Sequence, residues 1–204
     1  MGFHPEGLSR TSRGANEEAK HEHVRKGTVH QVLVYEGDDC VGWCQFGSPA
    51  ELPTIQNAKA YAKDAQSLPD WRIGCIFTGR GHRNQGVAHA AVARALEEIR
   101  AAGGGLVESY PEQVEDRAPQ RGSYFHTGPE SLYAAFGFSR ERKIAKWRWV
   151  MRKISLSRVP SGRLSNFREK ARWNSRGSRA ANSGFSVMMR TSAAVKVLQN
   201  SSTP

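Results

Sequence analysis

The stretch Arg83-Asn84-Gln85-Gly86-Val87-Ala88 constrains this chain more than any other. The apolar run Ile73 to Phe77 leads into it, and an amphipathic run leaves it. A strand that passes through a glycine-bearing turn into a helix presents free backbone N–H groups and the positive end of the helix dipole at that turn. Such a mouth attracts an anion, and a phosphate group is its natural occupant. A glycine at a helix start also serves as a plain structural turn, so the motif has to be weighed with its surroundings.

Four further features accompany it: the hairpin Gln31 to Phe46, the helix ending at Ala102, the strand Leu106 to Tyr110, and the segment Ser131-Leu132-Tyr133-Ala134-Ala135-Phe136-Gly137-Phe138. With the pattern R-x-x-G-x-A at Arg83 to Ala88, the set resembles the GNAT superfamily of acetyl-CoA-dependent N-acetyltransferases over residues 15 to 153. The resemblance implies an α+β, three-layer acyl-CoA N-acyltransferase fold: a mixed, mostly antiparallel sheet flanked by helices. In the family the hairpin is preceded by another strand and two helices that shape the acceptor side. Residues 1–29 leave less room than that, so the resemblance implies an N-terminally shortened version whose first strand is missing.

Charge divides the chain. Residues 1–151 carry 19 Lys and Arg against 18 Asp and Glu, whereas residues 152–204 carry 11 against 1. The formal net charge of +11 therefore belongs almost wholly to the tail and does not argue for a nucleic-acid-binding domain. Cys40, Cys44 and Cys75 lack C-x-x-C spacing and sit in apolar, strand-like runs, which favours small core residues over a metal or redox site. No apolar run reaches the roughly 18 residues that span a bilayer, and no signal-peptide core is present. A reducing, cytoplasmic setting and no membrane partner are expected.

Taken in order, residues 1–14 read as disordered, Ala15 to Arg25 as a helix stopped by Gly27, and Gly37-Asp38-Asp39 as the turn of the hairpin. Gln56 to Gln66 favours helix, in an insertion that either covers the substrate face or is a surface connection; Glu51 and Tyr61 would then be candidates to meet substrate. Trp71 to Thr78 reads as a central strand buried on both faces. Val87, Ala88, Ala91, Val92, Ala95, Leu96 and Ile99 form one helical stripe, closed by Gly103-Gly104-Gly105. Thr127-Gly128-Pro129-Glu130 reads as a capping box opening a helix that Gly137 closes, and Phe138 to Ile144 with Trp147 to Lys153 as a closing hairpin. The domain so outlined is residues 15–154. Residues 155–204 form a basic tail expected to be disordered, with a transient helix over Phe185 to Leu198.

The resemblance also implies roles. Acetyl-CoA is the co-substrate, and no metal is implied. Its pyrophosphate would meet the N–H groups of Arg83, Asn84, Gln85, Gly86, Val87 and Ala88, with cationic help from Arg83 and Arg80. Phe77 and Thr78 match the splayed strand whose backbone holds the pantetheine arm and the thioester carbonyl. Tyr133 matches the tyrosine that protonates the leaving thiolate. Glu108 is the candidate general base, with His126 and His82 as lesser candidates, and some family members need no dedicated base. The acceptor would be a small-molecule or peptide amine attacking directly in a ternary complex. Two other readings stay open: an acetyl-CoA-binding module without turnover, and a tail that binds nucleic acid weakly and without sequence preference. The sequence does not reveal the oligomeric state.

Overall fold

The computed structural model describes residues 13–63, 67–115 and 125–157, and the backbone of 185–189. The elements are α1 (Arg13–Lys26), β1 (His30–Glu36), β2 (Asp39–Gly47), α2 (Ala58–Lys63), β3 (Trp71–Thr78), α3 (Val87–Ala101), β4 (Gly104–Ser109), α4 (Glu130–Ala134), β5 (Ser139–Ala145), β6 (Arg148–Leu156) and β7 (Phe185–Met189). The strands form one sheet in the order β5-β6-β4-β3-β2-β1-β7. Every neighbouring pair is antiparallel except β3 with β4. A parallel pair needs a crossover, and α3 supplies it.

The apolar stripe of α3 buries Val87, Ala91, Val92, Ala95, Leu96 and Ile99 against Val32, Val34, Cys44, Phe46, Ile73, Ile76 and Val107. Burying each large aliphatic side chain in this layer contributes about 1.5–3 kcal/mol, which is why the helix sits flat on the sheet. Tyr133 of α4 and Phe138 belong to the same layer. The opposite sheet face carries a second cluster, Leu52, Ile55, Tyr61, Tyr110, Ile144 and Val150, built by the β2–β3 connection and α2. The insertion therefore lies over a sheet face.

Several expectations are corrected. Gly104 and Gly105 belong to β4, not to the end of α3. An added Cβ at Gly104 would lie 2.2 Å from the Ser155 carbonyl oxygen, and one at Gly105 2.5 Å from Asp70 Oδ2, so close backbone approach requires glycine there. Thr127 does not cap α4. Pro129 is the N-cap residue without a side-chain bond, because the Glu130 carboxylate is taken by Arg140, whose Nη2 lies 2.8 Å from Oε2. β3 is not dry on both faces, since Phe77 is 49% exposed and stacks on Trp43 with ring centroids 6.0 Å apart. Cys40 is exposed, whereas Cys44 is buried.

The tail is corrected too. Phe185–Met189 is a strand, neither disordered nor helical, and pairs along β1 from Val32↔Met189 to Glu36↔Phe185. With β2 already on its other side, β1 has one free edge, the place a preceding strand would take. β7 closes that edge, satisfying a row of backbone groups that would otherwise stand open. The expectations for residues 1–12 and for the rest of the tail beyond Ser157 lie outside the described residues. Among the described residues no helix is long and apolar enough to cross a membrane.

Gly104→Ala should lower stability by about 1–3 kcal/mol, the usual range for overpacking. Gly81→Ala, where an added Cβ meets nothing within 4 Å, should stay within about 0.5 kcal/mol of the parent. Urea denaturation of the two variants against the parent measures both.

Candidate active site

The site is a fork in the sheet. β3 and β4 pair over three residues only, Trp71↔Val107, Arg72↔Glu108 and Ile73↔Ser109. On its other edge β3 pairs Phe46 with Ile73 and Gln45 with Cys75, so Gly74 is an extra residue and a bulge. A bulge bends a strand and increases its twist. This one falls where β3 leaves β4.

Beyond the fork, β3 runs through Phe77 and Thr78 into a 3-10 turn, Arg80–His82, and then into α3. The turn is pinned by Gly79 N–H to the Val41 carbonyl at 2.7 Å and by His82 Nδ1 at 2.9 Å from Glu36 Oε2. Arg80 and Arg83 are exposed on either side of His82. Asn84 (φ 59°) and Gly86 (φ 85°) are both left-handed, and Gly86 is the N-cap of α3 without any side-chain cap bond. An added Cβ at Gly86 would meet nothing within 4 Å, so the space before the first turn is open. Gln85 is turned aside, its Nε2 donating to the Gly81 carbonyl at 3.1 Å. Gly42 on β2 seats this mouth: a Cβ there would stand 2.4 Å from Val87 Cγ1 and 2.8 Å from the Phe77 carbonyl oxygen.

Into the fork comes the turn Phe125–Gly128, closed by Gly128 N–H to the Phe125 carbonyl at 2.8 Å. The His126 carbonyl accepts Ile76 N–H at 2.6 Å. The Thr127 carbonyl accepts the Tyr133 hydroxyl at 2.9 Å. Tyr133 is fully buried, and burial pushes its phenol well above the ordinary range, with the thiols of Cys44 and Cys75 adding to the shift. Thr127 Oγ1 and Ser109 Oγ, both buried, have no hydrogen-bond partner. Alternation along β4 puts Val107 and Ser109 on the Tyr133 side of the sheet, and Glu108 and Tyr110 on the other.

Glu108 is therefore apart from Tyr133, and it is sealed. It is 0% exposed; Oε2 accepts the hydroxyls of Tyr61 and Tyr110 at 2.8 Å each, and Oε1 accepts Arg152 Nε at 2.7 Å. Burial, then Glu108 itself, raises both phenols above their ordinary value. Tyr61 is thus a buried partner of Glu108 and not a surface residue. Glu51 binds locally, accepting Ser48 N–H at 2.7 Å beside His30, whose Nδ1 lies 3.3 Å from Oε1.

Sequence reasoning missed a polar chain at the mouth on the α2 side. Arg148, 5% exposed, is paired with buried Glu112 and donates to Gln56 Oε1. Gln56 Nε2 lies 3.2 Å from His126 Nε2. No spacing announces this set, because its members come from four separate stretches. Cys75, on the splayed part of β3, has its thiol pushed up to about 11 by burial. Among the described residues no group of three or more His, Cys, Asp or Glu could hold a metal ion.

A family model described as "Acetyltransferase (GNAT) family" matches residues 4–138. No curated protein matches the sequence. Among solved structures, the chain is similar to a putative acetyltransferase of the GNAT family from Desulfovibrio desulfuricans at 18% identity, covering 72% of this chain and 85% of that one, TM-score 0.46. It is also similar to the ribosomal-protein-S18-alanine N-acetyltransferase of Escherichia coli at 8% identity, with coverages of 77% and 86% and a TM-score of 0.44. A putative acetyltransferase from Salmonella typhimurium with its cofactor acetyl-CoA gives 14%, 76%, 79% and 0.44.

The Glu51 carboxylate beside it raises the pKa of His30 against an opposing effect of burial. Burial lifts Glu51, but His30 and Ser48 outweigh it and leave Glu51 lowered. A raised histidine contributes stability below its unfolded pKa of about 6.5 and loses it as pH rises through the folded value. His30→Ala should therefore cost up to about 1 kcal/mol at pH 6 and less at pH 8.5, read by denaturation at the two pH values.

Proposed function

Given that the chain belongs to the GNAT family of acetyltransferases, we propose that it transfers an acetyl group from acetyl-CoA to a primary amine by direct attack in a ternary complex. The observation that carries this reading is the bulged fork at Gly74 continuing into the open, left-handed mouth at Gly86. The residues present fit the donor. The N–H groups of Gln85 to Ala88 lie where a pyrophosphate can meet them, and charge-assisted bonds of that kind contribute roughly 1.5–3 kcal/mol each. Arg83 and Arg80 add positive charge. Phe77 and Thr78 lie between the mouth and the fork, along the route a pantetheine arm would take. The unpartnered hydroxyls of Ser109 and Thr127 suit an amide or carbonyl arriving from that arm, because buried polar groups left unmet cost about 1–3 kcal/mol each.

Tyr133 serves as general acid. Its high pKa keeps the phenol protonated at neutral pH, so it can give its proton to the departing thiolate once its hydroxyl leaves the Thr127 carbonyl. A covalent relay finds little support, since a thiol with a pKa of about 11 is almost wholly protonated and poorly nucleophilic at pH 7. Glu108 serves as the buried anchor of Tyr61, Tyr110 and Arg152 and not as the base, because each oxygen already accepts a hydrogen bond and none reaches solvent. The acceptor is a small-molecule or peptide amine entering from the α2 side.

A second reading, acetyl-CoA binding without turnover, is favoured by the sealed Glu108 and by the segment 48–63 lying over the acceptor face. CoA release measured across an amine panel separates the two. Gly86→Glu, which fills the mouth with bulk and negative charge, should weaken acetyl-CoA binding more than tenfold by calorimetry. Tyr133→Phe should lower kcat by about 10² to 10⁴ with acetyl-CoA affinity kept. Unaltered affinity in the first variant would remove the basis of the reading.

A further inference from the structure

The two carbonyls of one short turn tie together both halves of the fork. His126 O holds Ile76 N–H on the splayed strand, and Thr127 O holds the Tyr133 hydroxyl. The backbone of His126 is thus one residue from the atom that positions Tyr133. Its imidazole reaches the other way, to Gln56 on the connection that covers the α2 side.

The orientation of that contact follows from its neighbours. Gln56 Oε1 accepts from the Arg148 guanidinium, which Glu112 holds through a buried ion pair. With its oxygen so engaged, the Gln56 amide must present its NH₂ to His126. A donor facing Nε2 requires a lone pair there, so the proton of the neutral imidazole is on Nδ1. Gln56 is exposed, and its NH₂ stands where a substrate N–H would make the same bond.

We propose that His126 Nε2 takes the proton of the acceptor amine, with Gln56 and Arg148 positioning the ring; this rests on the acetyltransferase reading of the site. The amine nitrogen attacks the thioester carbon, its proton passes to His126 Nε2 in place of Gln56, the C–S bond breaks with its electron pair on sulfur, and Tyr133 protonates that sulfur. Amide and CoA leave, and the proton returns from His126 to Tyr133 through solvent. The charged and titratable groups around the imidazole are Arg148 and Glu112, reached through Gln56, and Tyr133 across the turn.

The test is kcat/KM against pH for the full chain, with acetyl-CoA and the best amine of a panel of polyamines, aminoglycosides and peptide N-termini. His126→Asn should lower kcat about 10² to 10⁴-fold and abolish the acidic limb of the wild-type profile, with calorimetric acetyl-CoA affinity within threefold. Gln56→Glu, which puts an anion beside the ring, should move that limb to higher pH. The readout of Gln56→Glu serves also where His126→Asn does not fold. An acidic limb retained by His126→Asn, or unmoved in Gln56→Glu, overturns the proposal while leaving the acetyltransferase reading intact. Acetyl-CoA binding by the wild type without CoA release on any amine overturns both.

Discussion

The site depends on the shortness of one ladder. β3 and β4 share three residue pairs, and the bulge at Gly74 turns β3 away as soon as the third is made. Had the ladder continued, the edge groups of Ile76 and Thr78 would be spent on sheet bonds and no opening would exist. The parallel pairing needs α3 as its crossover, so the mechanism that opens the sheet also delivers a helix N-terminus beside the opening. Fork and mouth are therefore one structural consequence and not two devices.

What holds the two halves once parted differs on the two faces. On the α3 side the filling is apolar, with Ile73, Ile76, Val107 and Tyr133 in one cluster, and the polar exceptions are the unmet hydroxyls of Ser109 and Thr127. On the α2 side the filling is ionic and phenolic around Glu108. A buried ion pair contributes little net stability but is costly to break, since one charge is then left without compensation. The Glu108 cluster thus fixes the register of β4 against β6, where Glu108 stands opposite Arg152.

The elements that follow from local pattern were legible in the sequence: the α3 stripe, the hairpin β1–β2, β3 from Trp71 to Thr78, and the left-handed glycine at the helix mouth. What could not be read depends on partners distant in the chain. Gly104 and Gly105 looked like a helix stop because Ser155 and Asp70, which demand their lack of a side chain, are far away in sequence. Thr127 looked like a cap because Arg140, which takes Glu130, is ten residues further on. Phe185–Met189 looked like tail because a strand's worth depends on the edge it meets, and that edge lies about 150 residues earlier.

The same distinction bears on which residue can handle a proton. A base must exchange partners during the reaction, so it needs a bond weak enough to yield and a route to the incoming amine. Glu108 has neither, for its three partners are charged or phenolic and its surroundings admit no solvent. His126 has both: a single amide contact at 3.2 Å to an exposed glutamine, and a backbone carbonyl pinned to Ile76 that keeps the ring at the fork while that contact changes. Rigidity in the main chain and exchange in the side chain are thereby assigned to different atoms of one residue.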